Sequence, residues 1–200
     1  IPPELLDTDD YKGVDVIEGI LLAQAFAYLA PYRATTHNKG VMNGIDPVVI
    51  VTGNDWRSIE AGAHAYAART GKYLPMTDWV KDYAGNLVGS LELPMAVGIT
   101  GGSINLHPMA QIGLKFLGAK SASELAEVIV SVGLAQNFSA LKALATDGIQ
   151  KGHMALHARS VAVTAGASGD LVNIIAGELV KLKDIKVDKA RELLEIYSAK

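Results

Sequence analysis

Residues 33–57, RATTHNKGVMNGIDPVVIVTGNDWR, place a lysine and an aspartate on either side of a short apolar run. Glycines and a proline predict a loop over residues 33–47, and residues 48–52 have the composition of a buried strand. Such a strand would bring Lys39 and Asp55 close together at one end of a buried element. Because an ammonium group beside a carboxylate can stabilise an oxyanion, the stretch predicts part of an enzyme site.

Composition narrows the class of protein. Of the 200 residues, half are hydrophobic and a fifth are charged, which predicts a folded globular core with at most a small appendage. The net charge is −3 and no basic stripe is visible, so neither nucleic acid nor an anionic membrane is an expected partner. The chain has no cysteine, which excludes thiolate ligands and disulfides and fits a cytoplasmic protein.

No segment predicts a membrane span or a signal peptide. The longest apolar tract, residues 14–30, carries Asp15, Glu18 and Gln24, so it is too polar for a comfortable span. It is better interpreted as a buried helix. The chain begins at Ile1, without a charged segment ahead of an apolar one, so no signal peptide is expected.

Periodicity and turn residues predict an α+β fold, with a helix-rich core, a small mostly antiparallel sheet and a helical C-terminal piece. The sheet is predicted within residues 74–98, with a turn at 84–86. Further helices are predicted over residues 56–69, 108–117, 123–146, 149–163, 170–181 and 187–198.

The chain is expected to divide into a core at 1–147 and a helical piece at 148–200. Glycines stand at both ends of the first helix of that piece, at positions 148, 152, 166 and 169. Such glycines suit a lid that moves against the core, and they are equally explained as helix caps.

Lys39 and Asp55 each have two interpretations. Lys39 is either a solvated lysine or a cation directed at a carbonyl oxygen. A helix is predicted to follow Asp55, so either Asn54 or Asp55 is the expected N-cap, and Asp55 could also orient a lysine. The two roles of Asp55 are compatible.

His153 and His157 are spaced i, i+4, which places them on one face of a helix. This is the spacing of a two-histidine metal site, but Met154 stands where the HExxH pattern needs glutamate, and no third ligand is obvious. A structural pair and a general acid on a mobile helix are the other interpretations.

Three segments in order resemble one family along nearly the whole chain. THNKGVMNGID at 36–46, TGNDWRSIEAGAHAYAAR at 52–69 and DGIQKGHMALHARS at 147–160 are similar to motifs of 3-hydroxy-3-methylglutaryl-CoA (HMG-CoA) reductase. The resemblance is closer to the class II, mostly prokaryotic, form.

The resemblance implies a four-electron reduction of HMG-CoA to mevalonate and CoA, in isoprenoid biosynthesis. NADH or NADPH would be the cosubstrate, no metal would be needed, and the enzyme would be a cytoplasmic homodimer with its sites at the subunit interface. Mevaldyl-CoA and mevaldehyde would be the intermediates.

Carried over motif by motif, the resemblance implies a role for seven residues. Lys39 would stabilise the oxyanion, Asp55 would hold that lysine, and His153 would protonate the departing CoA thiolate from a C-terminal flap. Residues implied to bind substrate are Arg33 and Asn43, near the HMG portion, and Gln136 and His157, near the CoA.

The resemblance also implies what the sequence lacks. The family has an upstream region with a catalytic glutamate and a small domain that binds the nicotinamide cofactor, and neither is found here. Residues 1–147 would be the C-terminal part of the large substrate-binding domain and 148–200 the flap. The chain alone is therefore expected to be inactive, and its choice between NADH and NADPH cannot be read.

Two other functions stay open at this point. One is a metal-dependent hydrolase that uses His153 and His157. The other is a non-catalytic helical interaction module that docks through the amphipathic helix at 187–198.

Overall fold

The computed structural model describes residues 1–198, apart from the side chains of Ser103 and of residues 149–153. The chain forms two compact units, Ile1–Thr146 and Asp147–Lys200. The first contains α1 (Gly13–Leu29), α2 (Pro31–Val51), α3 (Trp56–Ala67), β1 (Thr77–Lys81), β2 (Leu87–Leu91), α4 (Gly102–Leu106), α5 (Pro108–Leu117) and α6 (Ala122–Ala145). The second contains α7 (Ile149–Thr164), α8 (Leu171–Leu182) and α9 (Val187–Ser198).

The predicted α+β class is confirmed, because the described part of the chain is mostly helical and has one small antiparallel sheet, which packs against α1 and α6. Strands β1 and β2 pair in register from Thr77↔Leu91 to Lys81↔Leu87. The turn between them is the predicted one: Gly85 has φ of +85°, and the Asp82 carboxylate accepts the backbone N–H of Ala84 at 2.9 Å.

Residues 33–51 are helical, so both predictions for this segment are wrong. Neither the loop at 33–47 nor the strand at 48–52 exists, because α2 runs through both. Its buried residues recur every three or four positions, which is a helical period. Two of them, His37 and Asn38, are polar and hide that period in the sequence. The buried set is Ala34, His37, Asn38, Val41, Met42, Gly44, Ile45 and Val49.

The glycines of α2 allow close packing and do not mark a turn. A Cβ atom added to Gly44 would lie 2.7 Å from the backbone oxygen of Val132 on α6. On the facing helix, a Cβ added to Gly133 would lie 2.7 Å from a side-chain carbon of Ile45. Because neither helix has a side chain at this crossing, their backbones approach closely.

The core of the first unit lies around α2. Val41, Ile45 and Val49 pack with Ile59 from α3 and Ile129 from α6. A second cluster joins α1 to the hairpin and α6 through Ile17, Ile20, Trp79, Leu87 and Leu141. Packing of α2 on α1, α3, α5 and α6 fixes the helix that carries Lys39.

The second unit has a core of its own, made by α7, α8 and α9. Ile175 and Leu179 of α8 are fully buried against Ala190 and Leu193 of α9. The apolar stripe of α9 therefore faces its own unit. This finding contradicts the interaction-module hypothesis, which needed that stripe as a docking face.

One helix in the described part of the chain, α6, has the length and composition of a membrane span. Its buried residues form a stripe that packs on the neighbouring helices: Leu125, Ile129, Gly133, Asn137 and Leu141. A core helix passes the same test of length and composition, so this feature is weak evidence for a span.

Candidate active site around Lys39

Lys39 lies on the exposed side of α2, in line with two other polar residues. Lys39, Asn43 and Asp46 are spaced i, i+4, i+7, so they share one face of the helix. The Lys39 ammonium donates a hydrogen bond to Asn43 Oδ1 at 2.8 Å. The predicted catalytic lysine and one predicted substrate-binding residue are thus in direct contact.

Arg33 is half-buried one and a half turns before Lys39 on the same helix. Its Nη1 donates to Thr36 Oγ1 at 3.1 Å, and burial lowers the pKa of the guanidinium group from its ordinary value. A partly desolvated cation of this kind is suited to an anionic ligand.

Asp55 is the N-cap of α3 and so is the one, of the two candidates Asn54 and Asp55, that the structure selects. Its carboxylate accepts the backbone N–H of Arg57 at 3.1 Å and that of Ser58 at 3.5 Å. It also forms an exposed ion pair with Arg57 Nε at 3.6 Å. The capping role leaves the carboxylate at the surface, accessible to another group.

The structure does not bring Lys39 and Asp55 together within one chain. Lys39 lies twelve residues before the end of α2 at Val51, about 18 Å along the helix axis. Asp55 follows beyond that end, so the two side chains cannot touch. The predicted proximity is wrong because it assumed a loop and a strand where the chain forms one long helix.

The carboxyl group next in line with Lys39 is Asp46. Burial and the adjacent Glu60 of α3 raise the pKa of Asp46 to about 6, and Lys39 acts in the opposite direction. Among the described residues, Asp46 Oδ1 is buried without a hydrogen-bond donor. Asp46 could not be predicted as a site residue from the sequence, because its i+7 relation to Lys39 has meaning only in a helix.

The opposite side of α2 carries a buried polar network. His37 Nε2 lies 2.6 Å from Thr77 Oγ1, which donates to Asn137 Oδ1 at 2.9 Å. Trp79 Nε1 donates to the same oxygen at 2.8 Å. Beside it, Asn38 accepts the backbone N–H of Met76 at 2.8 Å. No role was predicted for these residues from the sequence. The one feature that could have indicated a role for His37 and Asn38 is that they are polar residues at buried positions of a helix.

His37 makes the stability of the first unit depend on pH. Burial, helped by Arg33, lowers the pKa of His37 from 6.5 to about 4. The unfolded chain therefore binds more protons between these values, so stability is complete above pH 6.5 and falls as the pH drops towards 4. The pKa of Asp46 is raised, which gives a slope of the opposite sign over part of the range.

Comparison with His37→Gln isolates the histidine contribution. The wild-type chain should lose about 3 kcal/mol more free energy of unfolding than the variant between pH 7 and pH 4. Urea titrations followed by tryptophan fluorescence measure this, since both tryptophans, Trp56 and Trp79, belong to the first unit. Parallel pH profiles would show that His37 is not held neutral.

The remaining predicted residues lie in two places. Gln136 is on α6, and its Cβ atom lies 2.7 Å from where a Cβ of Gly44 would be, so it flanks the Lys39 helix. His157 is exposed on α7, one turn after position 153. The side chain of His153 lies outside the described residues.

The described residues give no support to the hydrolase alternative. Among the side chains that the structure describes in residues 1–198, no group of three or more histidines, cysteines and carboxylates could hold a metal ion.

Comparison with known proteins supports the motif resemblance. The sequence model of hydroxymethylglutaryl-coenzyme A reductase matches residues 5–158. The 3-hydroxy-3-methylglutaryl-coenzyme A reductase of Archaeoglobus fulgidus is 54% identical over 191 residues, covering 96% of this chain and 44% of the relative. A probable reductase of Borreliella burgdorferi is 43% identical over 143 residues, covering 71% and 33%.

Solved structures agree. The chain matches a Streptococcus pneumoniae HMG-CoA reductase with a TM-score of 0.71 and 48% identity, over 98% of this chain and 47% of that one. It also matches the class II reductase of that organism bound to NADPH in open conformations, with a TM-score of 0.66 and 50% identity. This match covers 93% of this chain and 45% of that one.

The chain spans less than half the length of these relatives. The match nevertheless includes every residue predicted to act on substrate, since all lie between positions 33 and 157. The chain belongs to the hydroxymethylglutaryl-coenzyme A reductase family.

Proposed function

We propose that this chain carries the substrate-reducing residues of a class II HMG-CoA reductase, which converts HMG-CoA to mevalonate and CoA with a nicotinamide cosubstrate. The observation that carries the proposal is Lys39, exposed on a rigid helix and bonded to Asn43 within the family match. A fixed cation on an open face is what a carbonyl oxygen needs when it gains charge.

Lys39 would act at both reduction steps. Hydride comes from NADH or NADPH and converts a carbonyl carbon into a tetrahedral centre whose oxygen becomes negative. The ammonium group of Lys39 stabilises that oxygen, and Asn43 holds the ammonium in place. Arg33, at the start of the same helix, is suited to bind the carboxylate of the HMG portion.

Asp55 would reach Lys39 from a second copy of the chain. Within one chain the two are separated by the second half of α2, so a direct pair requires another subunit. The surface around Asp55 favours such a contact, because the neighbouring Ile50, Val51 and Trp56 are exposed apolar side chains. A homodimer would therefore place two Lys39–Asp55 pairs at its interface.

The second unit would act as the flap. It has its own core, and glycines with positive φ stand on both sides of α7, at Gly148 (+82°) and Gly166 (+106°). Such positions suit a hinge. Closure would bring the helix of His153 to the substrate, where an imidazolium would protonate the CoA thiolate and so prevent it from recapturing the aldehyde.

His153→Gln should separate the two half-reactions. In a chimera whose matching region of the A. fulgidus reductase is replaced by residues 1–200, the variant should reduce HMG-CoA at least about 100-fold more slowly, because thiolate protonation is lost. It should reduce added mevaldehyde at nearly the wild-type rate. Rates of NADPH oxidation with each substrate measure the difference. Equal losses with both substrates would contradict the assignment.

The proposal assigns the cosubstrate to the nicotinamide class and the protein to the cytoplasm. The NADPH-bound S. pneumoniae relative supports a nicotinamide cosubstrate, but no described residue distinguishes NADPH from NADH. The absence of cysteine is compatible with the cytoplasm, which we propose as the location.

A chimera tests the proposed function. Residues 1–200 would replace the matching region of the A. fulgidus reductase, to which the chain is 54% identical over 191 residues. For each HMG-CoA consumed, the chimera should oxidise two equivalents of whichever cosubstrate, NADH or NADPH, the unmodified relative uses, and it should release free CoA. The unmodified relative provides the reference rate. A folded chimera that binds HMG-CoA but oxidises neither NADH nor NADPH would overturn the proposal.

A further inference from the structure

The buried network behind Lys39 fixes the protonation of His37. Trp79 Nε1 can only donate, so the Asn137 atom it contacts at 2.8 Å is the amide oxygen. Thr77 also contacts this oxygen, at 2.9 Å, and must spend its single hydroxyl proton there. Its remaining contact, with His37 Nε2 at 2.6 Å, is therefore accepted from an Nε2–H group.

The other ring nitrogen is an unprotonated acceptor. His37 is 2% exposed, and within the described residues its Nδ1 has no hydrogen-bond partner. Among the residues that the structure describes, Arg33, on the same helix, is the charged group that acts on the ring. The groups that contact His37 from neighbouring elements are Thr77 of β1 and Asn137 of α6, and both are uncharged. His37 is thus a neutral hydrogen-bond donor with one defined tautomer.

The network connects three elements to one turn of α2. Asn137 Nδ2 also donates to the backbone oxygen of His37 at 3.4 Å, and Gln24 of α1 donates to the backbone oxygen of Thr77 at 2.8 Å. Helical geometry places Lys39 about 200° around the axis from His37 and about 3 Å along it. Any rotation of this turn moves the Lys39 side chain directly.

We propose that His37 is a positioning residue for Lys39: its Nε2–H···Thr77···Asn137 chain holds the turn of α2 that presents the ammonium group on the opposite side. This inference rests on the proposed function for its effect on catalysis. The geometry is independent of the proposed function, because it concerns only the position of Lys39 within this chain.

Hydrophobic burial alone would not give this control. An apolar side chain at position 37 could fill the same volume, but it would leave the Thr77 hydroxyl without its donor and free to reorient. A directional hydrogen bond fixes both the rotation of α2 about its axis and its position along that axis, whereas apolar packing is non-directional.

Two matched pairs of variants test the proposal. Thr77→Val removes the hydroxyl and keeps the shape, while Thr77→Ser keeps the hydroxyl. His37→Leu removes the donor, while His37→Gln places an amide N–H near the position of Nε2. In the A. fulgidus chimera, kcat should fall at least about tenfold for Thr77→Val and His37→Leu, with KM for NADPH unchanged. Thr77→Ser and His37→Gln should restore most of the rate.

A second readout uses the 200-residue chain without catalysis. Trace acetylation followed by mass spectrometry gives the reactivity of Lys39 relative to Lys189, which lies in the other compact unit. The ratio should change severalfold in Thr77→Val and stay at the wild-type value in Thr77→Ser. Circular dichroism confirms that each variant is folded.

The outcomes separate the two proposals. A folded Thr77→Val variant with wild-type kcat and wild-type Lys39 reactivity overturns the positioning role, even if the reductase activity is upheld. If the wild-type chimera is inactive, the proposed function fails, and an altered Lys39 reactivity in Thr77→Val still supports the positioning role. An unaltered ratio in that case overturns it.

Discussion

Lys39→Ala is expected to lower kcat of the A. fulgidus chimera by about 10²- to 10³-fold, with HMG-CoA and with mevaldehyde alike. Both reductions create a negative oxygen, and Lys39 is the cation that α2 presents on its exposed face beside Asn43. The loss should therefore appear in both half-reactions. Initial rates of NADPH oxidation with each substrate measure it.

The matched control is Lys115→Ala, which removes an exposed lysine of α5 in the same unit. It should leave kcat within a factor of about two, because a surface lysine without a role in the site contributes little. A Lys39→Ala variant that is folded and as active as the control would remove the basis of the proposed function.

Gly44→Ala is expected to destabilise the first unit by about 1–3 kcal/mol, the largest stability effect of a single added methyl group on α2. The new Cβ would lie 2.7 Å from the Val132 backbone oxygen and 2.7 Å from Gln136 Cβ, and the backbone of α6 cannot move aside cheaply. Urea unfolding followed by tryptophan fluorescence measures the change.

Gly40→Ala is the control on the same helix. Its Cβ would meet nothing closer than Ala140 Cβ at 3.8 Å. The substitution should stabilise the unit by up to about 1 kcal/mol, because alanine favours a helix over glycine. Equal effects of the two substitutions would contradict the close crossing of α2 and α6.

The sequence predicts elements whose signals are local. Asp55 is recognisable as an N-cap from its place before a helix, and the hairpin from Gly85 in its turn; both are confirmed. The resemblance to HMG-CoA reductase, based on three motifs in order, is confirmed by the comparisons.

The sequence fails where a tertiary contact determines the meaning of a residue. Gly44 has the signature of a loop, but the approach of α6 is what requires it. His37 and Asn38 interrupt the apolar period because their partners, Thr77 and Met76, come from the hairpin region about forty residues later. Without those partners, α2 could not be distinguished from a loop and a strand.

The pairing of Lys39 with Asp55 illustrates a further limit. A motif match assigns both residues to one site, but it does not say whether they come from one chain. The length of α2 decides this point, because it separates them by more than their side chains can span. The proposed function therefore depends on two copies of the chain that contribute residues to each site.

Mixed dimers test that claim most directly. Lys39→Ala and Asp55→Asn chimeras, each inactive alone, would be given different affinity tags, co-expressed and purified through both tags. Asparagine keeps the cap of α3 and removes only the charge. If Lys39 of one copy meets Asp55 of the other, one site of each mixed dimer is intact, and kcat per dimer should be about half the wild-type value. Mixed dimers no more active than the parent variants would show that the two residues do not meet across the interface.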